Sequence, residues 1–350
     1  MNAAFAIGSP KPWALRISSK LCEALRPGFE QAQFPAPSSM NVRLTSCSLA
    51  LSFLAMGIAH GASKEDDTPT ILFKRAEALV ARGEQGEALA KYRVIASKYR
   101  EHSLAPEARF RAAQLLHANR EFIDAFDEYQ GVLTKFPQSD LFTKVIEGQM
   151  QIAEQVLEEY DISERAGRPR PGKNVPNKEL ASDLFRIILE NAKHTELSPK
   201  IHYARSVALE REQLRPESIE SHNLFVENYP EHYLADDAMF QASYISYKIA
   251  RDGNNPDPGA VSRAEFGFEE FLMRFPESEK TAQARYCLDE MREMRRKLLY
   301  AAARQYEKVG KKVAAAKMYK EALSIGDHGA EPNRTLEKIQ RRIDKTGVGE

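Results

Sequence analysis

Cysteine is scarce in this chain. Three residues of 350 (Cys22, Cys47 and Cys287) are too few for the disulfide framework that holds small secreted domains together. A charge excess is missing too: 50 Lys and Arg face 50 Asp and Glu, so no basic surplus points to nucleic acid. The spacings of catalysis are also absent. The eight histidines contain no His-x-x-x-His pair, and there is no Gly-rich phosphate loop and no Gly-x-Ser-x-Gly elbow. Those patterns would put two metal ligands on one helix face, cradle a phosphate or aim a nucleophile. An enzyme is therefore not expected, nor any catalytic, metal or cofactor-binding residue. Cys287 falls in a helix of mixed charge and reads as a packed thiol.

What the chain does contain is a recurrence. Six times a small residue is followed four positions later by a ring: Ala88 and Tyr92, Ala125 and Tyr129, Ala181 and Phe185, Ser218 and His222, Ala264 and Phe268, Ala315 and Tyr319. Four residues make one helical turn, so each pair shares a face. The small member lets a second helix come close and the ring fills the space beside it. Successive pairs are 37, 56, 37, 46 and 51 residues apart. A helical-hairpin repeat interrupted by insertions explains both the equal and the longer intervals. The fold expected is all-α, a superhelical array of about six hairpins.

Local signals place the elements. Helices are expected at Thr70–Arg82 and Gly86–Tyr99, broken by Gly83. Aromatic-proline stops recur at Phe136-Pro137, Tyr229-Pro230 and Phe275-Pro276. Three places after the aromatic stand Ser139 and Ser278, able to cap the next helix. His102 and His232 hold the same place and read as boundary residues, not ligands. The array spans 70–326, with insertions at 162–178 and 251–259, and a capping helix and tail follow over 327–350. A long helix at Lys280–Val309 carries mixed charges from Asp289 to Lys297, read as a solvated face.

The N-terminus has a different character. Residues 1–39 carry no persistent apolar stripe, whereas Arg43, the apolar run Leu44–Ala59 and small residues around Gly61 lay out a signal peptide over 40–61. The run is shorter than the ~20 residues of a spanning helix. A linker over 62–69 follows. Leu44-Thr45-Ser46-Cys47 has the shape of a lipidation motif, but its cysteine precedes the apolar run instead of following it. Cleavage near Gly61 leaves Cys287 as the single cysteine and a net charge of −3.

Small residue, turn Gly, small residue, ring and closing Pro together resemble the tetratricopeptide repeat; Ala303, Gly310, Ala315, Tyr319 and Ala322 match its skeleton best. A narrower resemblance rests on Phe271–Ser278, on Asn228–Ala238 and on the long helix ending in Tyr306-x-x-x-Gly310. With the export signal, these are similar to the BamD (YfiO-type) family of outer-membrane assembly lipoproteins. That resemblance covers roughly 68–326. It implies a periplasmic, non-catalytic scaffold whose partners are a barrel-assembly component and unfolded barrel substrates. A soluble periplasmic adaptor for cell-envelope or cell-division processes is the alternative, favoured by the misplaced cysteine. The first helices of the hairpins are expected to line the concave, peptide-binding face, with Phe73, Glu77, Phe110, Gln114 and His117 as its residues in the first two hairpins. Packing of Phe73 and Phe110 between helices is the competing reading. The basic loop Arg165–Lys173 reads first as a solvated loop, with peripheral membrane association through anionic lipid heads or contact with a partner's acidic patch as the functional alternatives. Translation is expected to begin at Met40. Mass spectrometry of the cellular protein should return no peptide from residues 1–39, and finding one refutes that start.

Overall fold

The computed structural model describes residues 68–165, 180–253, 256–325 and 334–346. The expected extension (1–39) and signal peptide (40–61) lie outside these residues. So do nearly all of the linker, residues 166–178 of the first insertion, 254–255 of the second, and 327–333 and 347–350 of the expected cap and tail. Among the described residues there are thirteen α-helices and no strand. Their order in the chain is the alternation expected of six hairpins: α1 (Pro69–Ala81) then α2 (Gln85–Lys98), α3 (Ala105–Ala118) then α4 (Phe122–Lys135), and α5 (Phe142–Arg165) then α6 (Ala181–Asn191). Then come α7 (Ser198–Arg211) with α8 (Arg215–Asn228), α9 (Ala235–Arg251) with α10 (Pro258–Arg274), and α11 (Thr281–Lys308) with α12 (Lys312–Ser324). A last helix, α13 (Arg334–Thr346), packs on α12 and α11. Two compact units divide within α3, after Leu115.

One turn geometry closes four of the hairpins. At the end of α1, Gly83 N–H bonds the carbonyl of Val80 and Glu84 N–H that of Leu79, the paired bonds of a Schellman motif. The same two bonds recur at Arg120 and Glu121, at Gln213 and Leu214, and at Gly310 and Lys311. The motif needs one left-handed residue, and φ is 80° at Gly83, 64° at Arg120, 62° at Gln213 and 77° at Gly310. Glycine adopts that conformation freely; Arg120 and Gln213 hold it against a steric cost of roughly 1 kcal/mol each.

The junctions between hairpins are equally uniform. His102 and His232 each use Nδ1 to accept the backbone N–H two residues on, at 3.2 and 3.3 Å. Ser139, Thr195 and Ser278 make the same bond with a hydroxyl, each at 3.3 Å. A side-chain acceptor reaching its own backbone two residues ahead is a turn-former. The ring nitrogen and the hydroxyl do one job here, which is why the two histidines share a repeat position with serines.

The described residues flanking both insertions extend helices or tie to a neighbour. In the first, α5 continues to Arg165, so the helix takes up residues expected in the loop. Its ends are pinned to the end of α7. Asp161 pairs with Arg211, and the Glu212 carboxylate accepts the backbone N–H of Ser182 (3.1 Å) and its hydroxyl at the start of α6. Burial raises the Glu212 pKa, and the bonds from Ser182 oppose that rise. In the second, α9 and α10 each run 17 residues, against 14 in α7 and α8, and the inserted residues mainly lengthen the helices.

The repeat pairs form the core. All six small residues are at most 1% exposed and all six rings at most 3%. Burying a ring of this size stabilises by roughly 1.5–3 kcal/mol. In the first unit Ala76, Ala88, Tyr92 and Ile95 pack with Ala108 and Ala112. At the far end of the second, Ala303, Ala315, Tyr319 and Ala322 enclose Ile339 of α13. Gly267 of α10 lies so close to Ser243 of α9 that any side chain there would overlap it.

The fourth pair departs from the rule. His222 fills the ring slot fully buried, edge-on to Tyr203 at 5.7 Å, and neither ring nitrogen has a partner. Burial lowers its pKa to about 4, and burial likewise lowers that of His202 to about 4. The unfolded chain therefore takes up these protons first as pH falls below the ordinary 6.5, and stability declines from there toward pH 4. The contribution of His222 is on the order of 2 kcal/mol. Urea unfolding of His222→Phe at pH 7 and pH 4.5 should show a smaller acid loss than the unsubstituted protein, with no loss at pH 7. Parallel pH profiles would refute the assignment.

Candidate protein-docking surfaces

The residues expected on the first-helix face fall in both units. Within the first, Phe73 is half-buried against the core and meets the Tyr92 ring edge-on at 5.3 Å, and Phe110 is 7% exposed. Glu77 and Gln114 are exposed, and Gln114 accepts a bond from Arg111 at 3.1 Å. Within the second, His117 is half-buried, 3.1 Å from Gln155 of α5 and edge-on to Phe122 at 5.9 Å. Phe110 is thus buried and Phe73 half-buried, so Glu77 and Gln114 carry most of the exposure.

Farther along the second unit, the first helices are laced together. On α9, Phe240, Tyr244 and Tyr247 stack in series, 5.6 and 5.4 Å apart. Glu210 of α7 accepts from Gln241 at 2.6 Å and pairs with Lys248. Glu290 of α11 takes the Tyr247 hydroxyl and Arg251, the latter at 3.1 Å. Lys248 and Arg251 lie over the Tyr244 and Tyr247 rings at 5.3 and 5.2 Å. These charges are spent on each other, joining three hairpins. Cys287 lies here, 2% exposed, its thiol pushed up to about 12 by burial.

Two grooves open on the later hairpins of this unit. Between α10 and α12, across α11, runs a groove of about 790 Å³. Val261 and Phe266 form one wall, Glu321 stands opposite, and Leu298, Leu299 and Ala302 lie between. Arg295 donates to both oxygens of Glu265 at 3.2 Å and to Glu321 at 3.4 Å, tying α10 to α12 through α11. A smaller groove of about 290 Å³ lies on the other side of α10, lined by Ile219, Val226, Met239 and Arg274. Phe266 borders both grooves and is 68% exposed. Met273, seven residues on, is 76% exposed.

The charged stretch Asp289–Lys297 is therefore not a solvated face. Arg292 bonds Glu269 at 2.9 Å, Arg295 holds two carboxylates, and Arg296, 2% exposed, donates to the carbonyl of Ile325 at 3.0 Å. The long helix α11 packs on α10 and, farther along, on α12, and its basic residues are where those helices meet. The groove itself left a trace in the sequence. The buried residues Val261, Ala264, Phe268 and Phe271 follow helical spacing, while Phe266 and Met273 fall off that stripe onto a second one.

The fold defines the class: a tetratricopeptide-type hairpin array, an architecture built for protein–protein interaction. Residues 200–328 match the family model for YfiO, described as an outer membrane lipoprotein. The resemblance to that family thus rests on hairpins four to six, which carry both grooves. Among solved structures, a tetratricopeptide repeat protein from Parabacteroides merdae is 14% identical, with a TM-score of 0.30 over 79% of this chain and 98% of that one. The C-terminal part of a repeat-containing protein from Cytophaga hutchinsonii is 15% identical, with a TM-score of 0.33 over 79% and 89%. No curated protein matches the chain.

Arg295→Ala should leave the 7%-exposed Glu265 carboxylate without this cation. Because Arg295 itself is 39% exposed, screening reduces the cost to about 1–3 kcal/mol. Glu321→Ala, which removes an exposed partner, should cost under about 1 kcal/mol. Chemical unfolding of the two variants checks the order; equal losses would contradict it.

Proposed function

We propose that this protein is a non-catalytic scaffold of the cell envelope that acts in the assembly of outer-membrane β-barrel proteins. It is exported to the periplasm, associates with the outer membrane, and holds a barrel-assembly component or an unfolded barrel substrate against its repeats. The observation that carries this reading is a coincidence of position. The match to the outer membrane lipoprotein family covers 200–328, and the residues lining both open grooves lie between Ile219 and Glu321. Binding is the chemistry such a surface supports: exposed apolar side chains beside carboxylates and guanidinium groups already held in place. A second reading, a soluble periplasmic adaptor for envelope or division processes, draws on Cys47, which precedes the apolar run and so suits no lipid anchor.

Affinity purification of the tagged full chain from gently solubilised envelopes tests the two. Stoichiometric recovery of the barrel-inserting outer-membrane protein is the expected result. Recovery of cell-wall or Tol-type components in its place would overturn the assembly role in favour of the adaptor.

A further inference from the structure

The larger groove has a shape and a charge pattern that narrow what it takes. Its long wall follows α10 from Pro258 to Glu269, about 17 Å at 1.5 Å per residue, the length of three helical turns. The half-buried Leu298, Leu299 and Ala302 make an apolar floor, and Phe266 projects at the edge. Carboxylates stand on both sides. Glu269 on α10 is 46% exposed at its side chain, and Glu321 on α12 is 40% exposed. Counted over the lining, three carboxylates (Glu265, Glu269, Glu321) meet one guanidinium, Arg295, with Arg292 bonded to Glu269 beside it. An apolar floor between two helices accepts a third helix, and acidic walls favour basic edges on that helix.

We infer that this groove binds an amphipathic α-helix of a partner protein, with an apolar stripe toward Leu298, Leu299 and Phe266 and Lys or Arg along both edges. The inference rests on the protein-binding reading above and adds the partner's chemistry. The smaller groove, where Arg263 and Arg274 accompany Glu227 and Glu270, has balanced charge and shows no such preference.

Fluorescence anisotropy with the full chain tests it, using two labelled 18-residue peptides with one leucine stripe. One peptide carries Lys on both edges and the other Glu. The Lys-edged peptide should bind at least tenfold more tightly at low salt, and the preference should shrink as salt rises. Phe266→Ala should weaken it at least tenfold while leaving the unfolding midpoint unchanged, since that ring is mostly exposed. Glu321→Gln, which lines only this groove, should erode the preference for the Lys-edged peptide. Equal affinity for both peptides, binding indifferent to Phe266→Ala, or no binding overturns the inference. The last result is also what a groove filled by another segment of this chain or by a second copy would give. Envelope purification reports separately, so failure of the peptide leaves the scaffold role to its own experiment.

Discussion

Close approach between helices is the constraint on which everything else rests. A hairpin closes only if one face offers a residue small enough for the neighbour's backbone to come near and a ring large enough to fill the flank. Ala88, Ala125, Ala181, Ser218, Ala264 and Ala315 meet the first requirement at almost no exposure, and their ring partners meet the second. Where the ring is His222, volume is satisfied and polarity is not, leaving two buried nitrogens unpaired. The fourth hairpin therefore keeps the shape of the others with a liability in acid.

Given that packing, the rest of the second unit follows from where chain has been added. Glu212 and Arg211 at the end of α7 hold both ends of the first insertion, so α6 starts in the place the repeat demands. The second insertion lengthens α9 and α10. The 28 residues of α11 let one helix pack on α10 and again on α12. The larger groove lies between those two contacts, and the Glu265–Arg295–Glu321 bridge keeps its walls in register. On the first helices the tyrosine stack, Glu210 and Glu290 consume their own charges, and the apolar groove opens where α11 meets α10 and α12.

The framework was readable because it rests on spacing. Every small-residue and ring pair proved buried, and His102 and His232 behave as the boundary residues their positions implied, bonding backbone as Ser139 and Ser278 do. Surfaces were far less readable. For Phe73 and Phe110 the peptide-facing and the packed position were both open, because a first-helix aromatic can turn toward either side; Phe110 is buried and Phe73 meets Tyr92 edge-on. Asp289–Lys297 misled for a related reason: charges at helical spacing look alike whether they meet water or another helix's carboxylate. Phe266 could have been noticed as an apolar residue off the buried stripe of α10. Its meaning depended on α11 and α12, which lie beyond that helix.

The order of residues was enough to specify an all-α hairpin array, the phase of its repeats and the residues at its turns. These are set by contacts within one or two helical turns and by backbone conformations that particular residues favour or resist. Which charges became ties, which rings lay open and where a groove remained depended on how distant helices came together. Exposure is a property of the neighbours that surround a side chain, and those neighbours are brought together by helices many residues apart.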